Sequence, residues 1–333
     1  EVDAVIVEAD GAKGRSLKAP APYEPVIPAT TSVLLPVAAA DAVGQPLDER
    51  CVHRPEVVAQ VTGAELGQII TPDLVSAVLL HPQGGLKHAT TAAVVLPLIN
   101  KVSYARLESA RQIAGALLQS SRVQRALLCA VAQGDPVKEV WGRVGAVVLA
   151  AGGSRRFGSP KQLLPWQGKP LLEHVVDTVL DSSVDQVVVV LGHQSESIGA
   201  LIRGKDVVTV VNEDWEQGQA GSVRAGLQAL RESCDAALFV LADQPQVTSG
   251  LIDTIVARYR RTLAPIVLPV YRGRRGNPVL FARALFPELL EMHGDRGGRQ
   301  VMERHEHEVE TVEVRDPSLF LDIDTVDEYE DAR

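Results

Sequence analysis

A chain of 333 residues, 46% hydrophobic and 23% charged, is long enough for two domains, each with its own core. Its net charge of −9 excludes a nucleic-acid backbone as main partner, and the scattered Cys51, Cys129 and Cys234 form neither a disulfide framework nor a zinc motif. No apolar run is long enough to cross a bilayer and no secretory signal opens the chain, so a cytoplasmic protein is expected.

The chain enters a buried-type run at residues 4–9 almost at once, which leads us to expect further residues upstream of Glu1. Strand-like runs follow at 32–37, 93–99 and 125–131. Helical patterns lie between them at 55–61, 72–80 and 104–118, the first two opened by Pro55 and Pro72 at the favoured first-turn position. A polar stretch at 133–143 reads as a linker between domains at 1–132 and 144–333. Beyond it, strands apolar on both faces are predicted at 145–150, 186–191, 207–211, 236–241 and 265–270. Helices are predicted at 171–180, 222–231 and 251–260. That alternation predicts a mainly parallel sheet covered on both faces, so both halves are α/β.

The strand at 145–150 runs directly into Leu149-Ala150-Ala151-Gly152-Gly153-Ser154-Arg155-Arg156-Phe157-Gly158-Ser159-Pro160-Lys161. In an open α/β sheet, ligands gather beyond the carboxyl ends of strands, where this loop falls. Small residues let the backbone come close to a ligand and aim N–H groups at phosphate oxygens. Arg155, Arg156 and Lys161 add positive charge, arginine able to fork onto two oxygens and lysine acting as a point charge. A dinucleotide fold would space its glycines G-x-G-x-x-G, and an ATPase P-loop would continue Gly-Lys-Ser/Thr where this loop has Gly158-Ser159-Pro160-Lys161. A plain surface turn has no need of three cations. The loop reads as a triphosphate cradle.

The run L-A-A-G-x-S-x-R-x-G-x-x-K resembles the signature of the molybdenum cofactor cytidylyltransferases and their MobA-like relatives, and the resemblance extends from Gly145 to Arg333. It implies a Rossmann-like, GT-A-like nucleotidyltransferase domain. Leu149, Ala150, Ala151, Gly152, Gly153, Ser154, Arg155 and Gly158 would surround the nucleotide, with Arg156 and Lys161 on its phosphates. Relatives that use GTP usually show Leu-Ala-Gly-Gly, so Leu-Ala-Ala-Gly here favours CTP, with GTP second.

Asp243-Gln244-Pro245 follows the strand-like run 236–241 on the same sheet edge as the loop. An Asp there can reach a triphosphate through Mg²⁺, which takes one or two carboxylates plus phosphate oxygens. The alternative is an Asp that opens a turn before proline. Near the C-terminus, Asp322 ends a short apolar run, whereas Asp324 and Thr325 read as helix N-cap residues with Asp327 and Glu328 in the first turn. The resemblance assigns metal contacts to Asp243 and Asp322, with Asp324 in reserve.

Asn212-Glu213-Asp214-Trp215-Glu216-Gln217-Gly218-Gln219-Ala220-Gly221-Ser222 is similar to the family's N-x-x-W-x-x-G-x-x-x-S segment, which lines the nucleotide and acceptor cleft. Ser222 is thereby a nucleotide residue or, equally, a helix N-cap, and Gly218 an acceptor residue. Gly276-Asn277-Pro278 and Gly294-Asp295-Arg296-Gly297-Gly298-Arg299 resemble acceptor-side loops, with Asn277 where many relatives carry His. Arg272, Arg274 and Arg275 meet an anionic acceptor or line a solvated loop. His305-Glu306-His307 reads as a solvated edge strand. No Ser/His/Asp or Cys/His constellation is apparent, and a phosphate nucleophile, already ionised at neutral pH, needs only positioning and charge neutralisation.

In the first half, residues 5–14 read as a strand ending in Glu8, Asp10, Gly11 and Lys13, acids placed to hold Mg²⁺ or simply a turn. Asn100-Lys101 echoes the Asn-Lys-x-Asp guanine-reading motif, with Ser103 in place of the acid. Together with Lys18-Ala19-Pro20, Glu24-Pro25, His53-Arg54-Pro55-Glu56 and His81-Pro82-Gln83-Gly84-Gly85, this half resembles the selenium-dependent hydroxylase accessory proteins, the YqeC-like family. The resemblance implies a P-loop-NTPase-like α/β domain lacking its P-loop, since no G-x-x-x-x-G-K-[ST] occurs in the chain.

The two resemblances imply a protein of molybdenum hydroxylase maturation: Mg²⁺-dependent transfer of CMP from CTP to a molybdopterin-type cofactor, with an apo-hydroxylase of the xanthine dehydrogenase type as partner. The rivals are transfer to another phosphorylated small molecule and a non-catalytic cofactor carrier. Catalysis is favoured because a carrier would not need Asp243, Asp322 and Lys161.

Overall fold

The computed structural model describes residues 4–154, 157–294 and 297–332, and the chain divides into two compact units, Glu1–Gly142 and Arg143–Arg333. In the first unit Val37–Ala39, Leu98–Asn100 and Arg125–Cys129 run parallel, and Arg125–Cys129 pairs antiparallel with residues 137–142. Helices Pro55–Thr62, Pro72–Leu80 and Leu107–Leu118 bury Val58, Val75, Val78, Ile113 and Leu117 in one core with Ile99 and Leu128. The runs at 32–37 and 93–99 are each split, at Pro36 and Pro97, into two short strands. Proline has no N–H for a ladder, so each run breaks there.

Two expectations fail in this unit. Residues 4–9 form no strand, and Val5, Ile6 and Val7 are 79%, 95% and 53% exposed. An apolar run becomes a strand only where a neighbour supplies the ladder, and among the described residues none pairs with it. The stretch at 133–143 is a loop only at its start, because Val137–Leu149 is a strand. Glu139 is 4% exposed there because Arg111 and the Trp141 indole N–H both donate to its carboxylate. Polar composition marks a loop only when the polar groups stay in water, and Glu139 is buried and paired instead.

In the second unit β1 (Val137–Leu149, from residue 143 on), β2 (Gln186–Leu191), β3 (Val208–Val211), β4 (Cys234–Leu241), β5 (Ile266–Tyr271), β6 (Val279–Ala282) and β7 (Val309–Glu313) form a sheet in the order β3-β2-β1-β4-β6-β5-β7. Of these seven only β6 runs antiparallel to the rest, and the short strand Arg274–Arg275 adds antiparallel to β5. Helices α1 (Leu171–Leu180) and α3 (Ser249–Thr262) pack on one face with Ala146 and Val148, while α2 (Gln219–Ala229) packs on the other with Val147. Alternate residues of β1 therefore enter opposite cores, which is why the strand is apolar throughout. Gly226 lets α2 lie close, since a Cβ there would stand 2.3 Å from Val147 Cγ1. The unit is the mainly parallel, doubly covered α/β sheet expected. Among the described residues no helix is long and apolar enough to cross a membrane.

The register sets Leu149 of β1 beside Leu241 of β4. The glycine-rich loop and Asp243 consequently leave the sheet side by side at its carboxyl edge.

The segment His305-Glu306-His307 is not an edge strand: a 3-10 turn, Glu306–Glu308, precedes β7. His305 places Nδ1 2.7 Å from Glu308 and Nε2 2.8 Å from Glu288, and these hydrogen bonds push its pKa up from the ordinary value. A pKa raised by folding means stability that is fully present below the unfolded value and lost as pH rises through the folded one. We expect His305→Ala to lower the melting temperature most below about pH 6 and least near about pH 9. A deficit independent of pH would show that the imidazole contributes packing alone.

Candidate active site

The loop after β1 is closed by side chains from its far end. Lys161 donates its backbone N–H to Ser154 Oγ at 3.0 Å. Gln162, only 5% exposed, donates Nε2 to Ala150 O at 2.9 Å and to Gly152 O at 3.1 Å. Ser154 and Gly158 take positive φ (48° and 76°), and Gly158 is a residue type at ease there. Gly153 is obligatory for a different reason: a Cβ would lie 2.7 Å from the Trp215 ring, which also stacks near His193 with centroids 5.2 Å apart.

Leu149, Ala150, Ala151, Gly152, Ser154 and Lys161 line one wall of a cleft of about 300 Å³. Gly218, Gln219 and Ser222 at the start of α2, with Trp215, line another, and Asp243 with Ala242 closes the floor at the end of β4. Ser222 is not an N-cap. It lies inside α2, buried, its hydroxyl accepting from Asn212 Nδ2 at 3.0 Å, while Gly218 takes the cap position. Arg155 and Arg156, expected on the phosphates, lie outside the described residues. A larger cavity of about 700 Å³ borders Trp166, His174 and Pro245, but none of Lys161, Asp243, Asp322 or Asp324 lines it.

The charges converge on Lys161. Its ammonium donates to Asp324 Oδ1 at 2.6 Å and stands 3.5 Å from Asp243 Oδ2, with the lysine side chain 11% exposed. The C-terminal segment is pinned here by the Ile323 N–H donating to Asp243 O at 3.0 Å. Asp322 turns instead to Gln244, whose Nε2 donates to its Oδ1 at 2.6 Å. Burial pushes the Asp243 carboxyl above its ordinary pKa, the Lys161 charge opposes this, and Asp322 and Asp324 push it further up. The cap of the last helix, Val326–Ala332, is supplied by Thr325 and Glu328, which exchange hydrogen bonds with each other's backbone or hydroxyl. Asp324, read from sequence as a cap, places its carboxylate on Lys161, and its backbone N–H donates to Glu328 Oε2 at 2.9 Å.

The acceptor candidates are less gathered. Gly218 lines the cleft; Gly276, Asn277, Pro278 and Arg299 do not. Gly276 packs against Phe320, where a Cβ would come within 2.0 Å of the ring, and so touches the turn that precedes Asp322. The loop before Arg299 meets the start of α2, Ala220 N–H donating to Gly294 O at 3.1 Å, while Asp295 and Arg296 lie outside the described residues. Arg275 pairs with Glu306 and Arg272 lies over Tyr271. Sequence reasoning missed Gln162 and Gln244, because a buried glutamine has no periodic signature; adjacency to Lys161 and Asp243 was the only signal.

The family model of the MobA-like NTP transferase domain matches residues 146–309, and that of the YqeC protein matches residues 1–56. The chain belongs to the MobA-like NTP transferases and is a nucleotidyltransferase. It is similar to the nicotine blue oxidoreductase of Paenarthrobacter nicotinovorans, 31% identical over 56% of this chain and 94% of the relative. The molybdenum cofactor cytidylyltransferase of Escherichia coli is 25% identical over 57% of this chain and 95% of its own length. Among solved structures, Rv0371c from Mycobacterium tuberculosis is 32% identical, with a TM-score of 0.53 over 57% of this chain and 96% of that one; it has also been solved in complex with manganese, at 30% identity and a TM-score of 0.50, over 57% of this chain and 97% of that one.

Removing Lys161 takes away the ammonium that stands between Asp243 and Asp324. Lys161→Ala should lower kcat about a hundredfold, the scale of losing one preorganised charge-stabilising donor. It should also let Mn²⁺ bind more tightly, because the carboxylates lose a competing ammonium. Turnover within about threefold of the native rate would remove Lys161 from the chemistry.

Proposed function

We propose that the second unit transfers CMP from CTP to the phosphate of a molybdopterin-type cofactor. An acceptor phosphate oxygen attacks the α-phosphorus, the bond to the bridging oxygen breaks, and pyrophosphate leaves with the electron pair. The observation that carries this reading is the convergence of the Leu149–Gly153 loop, Lys161 and three aspartates at one sheet edge. The similarity to a molybdenum cofactor cytidylyltransferase supports the choice of acceptor, and Leu149-Ala150-Ala151-Gly152 supports CTP over GTP.

The residues present fit Mg²⁺. Asp243, Asp322 and Asp324 offer hard carboxylate oxygens beside Lys161, and burial, with the neighbouring Asp322 and Asp324 charges, holds the pKa of Asp243 up. Among the described residues no group of three or more His, Cys, Asp or Glu is placed to hold a metal ion by itself, and Mg²⁺ takes only one or two carboxylates together with phosphate oxygens. Asp243 and Asp322 would hold it, with Asp324 at hand once Lys161 turns to the nucleotide. When bound, the ion supplies charge neutralisation on the α-phosphate. Lys161 and the loop N–H groups would hold the β- and γ-phosphates and the departing pyrophosphate. An apo-hydroxylase recipient and a cytoplasmic setting belong to the same proposal.

The test is pyrophosphate release by the purified chain with Mg²⁺ and each of CTP, GTP, ATP and UTP, with and without molybdopterin cofactor. Release with CTP that requires the cofactor is the expected result. CTP binding with no release would favour a carrier, and release that needs a different phosphorylated acceptor would replace the acceptor assigned here.

A further inference from the structure

We infer that Gln162 is a positioning residue for nucleotide recognition, holding the loop after β1 so that its backbone N–H groups are left open to a ligand. This rests on the nucleotidyl-transfer reading of the cleft. The side chain is buried, and its amide nitrogen serves two carbonyls on alternate residues, Ala150 at 2.9 Å and Gly152 at 3.1 Å. Both partners are carbonyl oxygens, which can only accept, so the NH₂ end of the carboxamide must face them.

The peptides concerned are trans, so each N–H points opposite to the carbonyl of the residue before it. With the Ala150 and Gly152 carbonyls turned toward Gln162, the N–H groups of Ala151 and Gly153 point away from it together. The intervening carbonyl, Ala151 O, accepts from the His193 N–H at 3.2 Å, which orients the Gly152 N–H in turn. Among the described residues the N–H groups of Ala151, Gly152 and Gly153 have no acceptor. Of the carbonyls from Ala150 to Ser154, those of Ala150, Ala151, Gly152 and Ser154 each accept a hydrogen bond, and that of Gly153 accepts none among the described residues. The loop is thus biased toward donating, and a succession of open backbone N–H groups suits phosphate oxygens and the carbonyl edge of a base.

Among the described residues no other group donates to the two carbonyls. The Gln162 oxygen has no partner among the described residues, so the carboxamide is fixed by its nitrogen alone. Removing that nitrogen frees the Ala150 and Gly152 peptides to rotate and turn acceptors where donors stood. The loop would then oppose, rather than attract, an anionic ligand.

The test compares native protein with Gln162→Leu, which keeps bulk without a donor, and Gln162→Glu, which keeps shape but sets a carboxylate against two carbonyls. Both are expected to raise KM for CTP about tenfold, the equivalent of one to two hydrogen bonds, with kcat changed less than about threefold and melting temperature nearly unchanged. A packing role alone would lower the melting temperature and leave KM in place. KM within about twofold of native in a folded variant, or loss of both variants to unfolding, overturns the inference. If the native chain binds CTP without releasing pyrophosphate, dissociation constants replace KM and the inference is still decided. A native chain that binds no nucleotide defeats the underlying reading and the inference with it.

Discussion

The ammonium of Lys161, set between Asp324 and Asp243, is the interaction on which the site depends. Each of the three groups arrives on a different part of the chain: the glycine-rich loop, the end of β4 and the C-terminal segment. Without the cation, carboxylates from two of these parts would face one another in a half-buried setting, where repulsion is least screened. With it, the loop is tied to the sheet edge and the C-terminal segment is tied to both. The same tie is a poised one. On the proposed reading, a ligand that brings its own negative charge to Lys161 would release Asp324 and Asp243 together, and carboxylates so released would suit a divalent cation.

The sheet makes that convergence possible. Parallel β1 and β4 end at the same level, so the segments that follow them emerge as neighbours although more than eighty residues separate them in sequence. Helices α1, α2 and α3 cover both faces, which leaves the carboxyl edge as the open part of the unit. The cleft then forms between the loop and the start of α2, where glycines at 153 and 192 make room for Trp215.

Much of the second unit was legible because its strands are apolar on both faces and its helices are regular. The predicted 186–191 and 171–180 agree with β2 and α1 to the residue. The loop's glycines and Lys161 marked the cleft-lining segment after β1 from the sequence. What stayed hidden was decided by partners distant in sequence. Asp324 looked like a cap because its neighbours Thr325 and Glu328 do form one, and only the fold shows its carboxylate on Lys161. Glu139 looked like linker because its partners, Arg111 and Trp141, cannot be inferred from a polar run. Residues 4–9 looked like a strand because their composition suits one, yet pairing is a property of the neighbour. Gln162 carried no pattern, since what it does is hold two carbonyls twelve and ten residues behind it.

The central claim is that Asp243 and its companion acids act with a metal on a bound nucleotide. The most direct measurement is the affinity for CTP across a Mg²⁺ titration, in the native chain and in Asp243→Asn. The account predicts that Mg²⁺ strengthens CTP binding to the native chain, and that this gain vanishes in the variant while metal-free binding is kept. An equal gain in both proteins would leave the metal on the nucleotide alone and contradict the role assigned to Asp243.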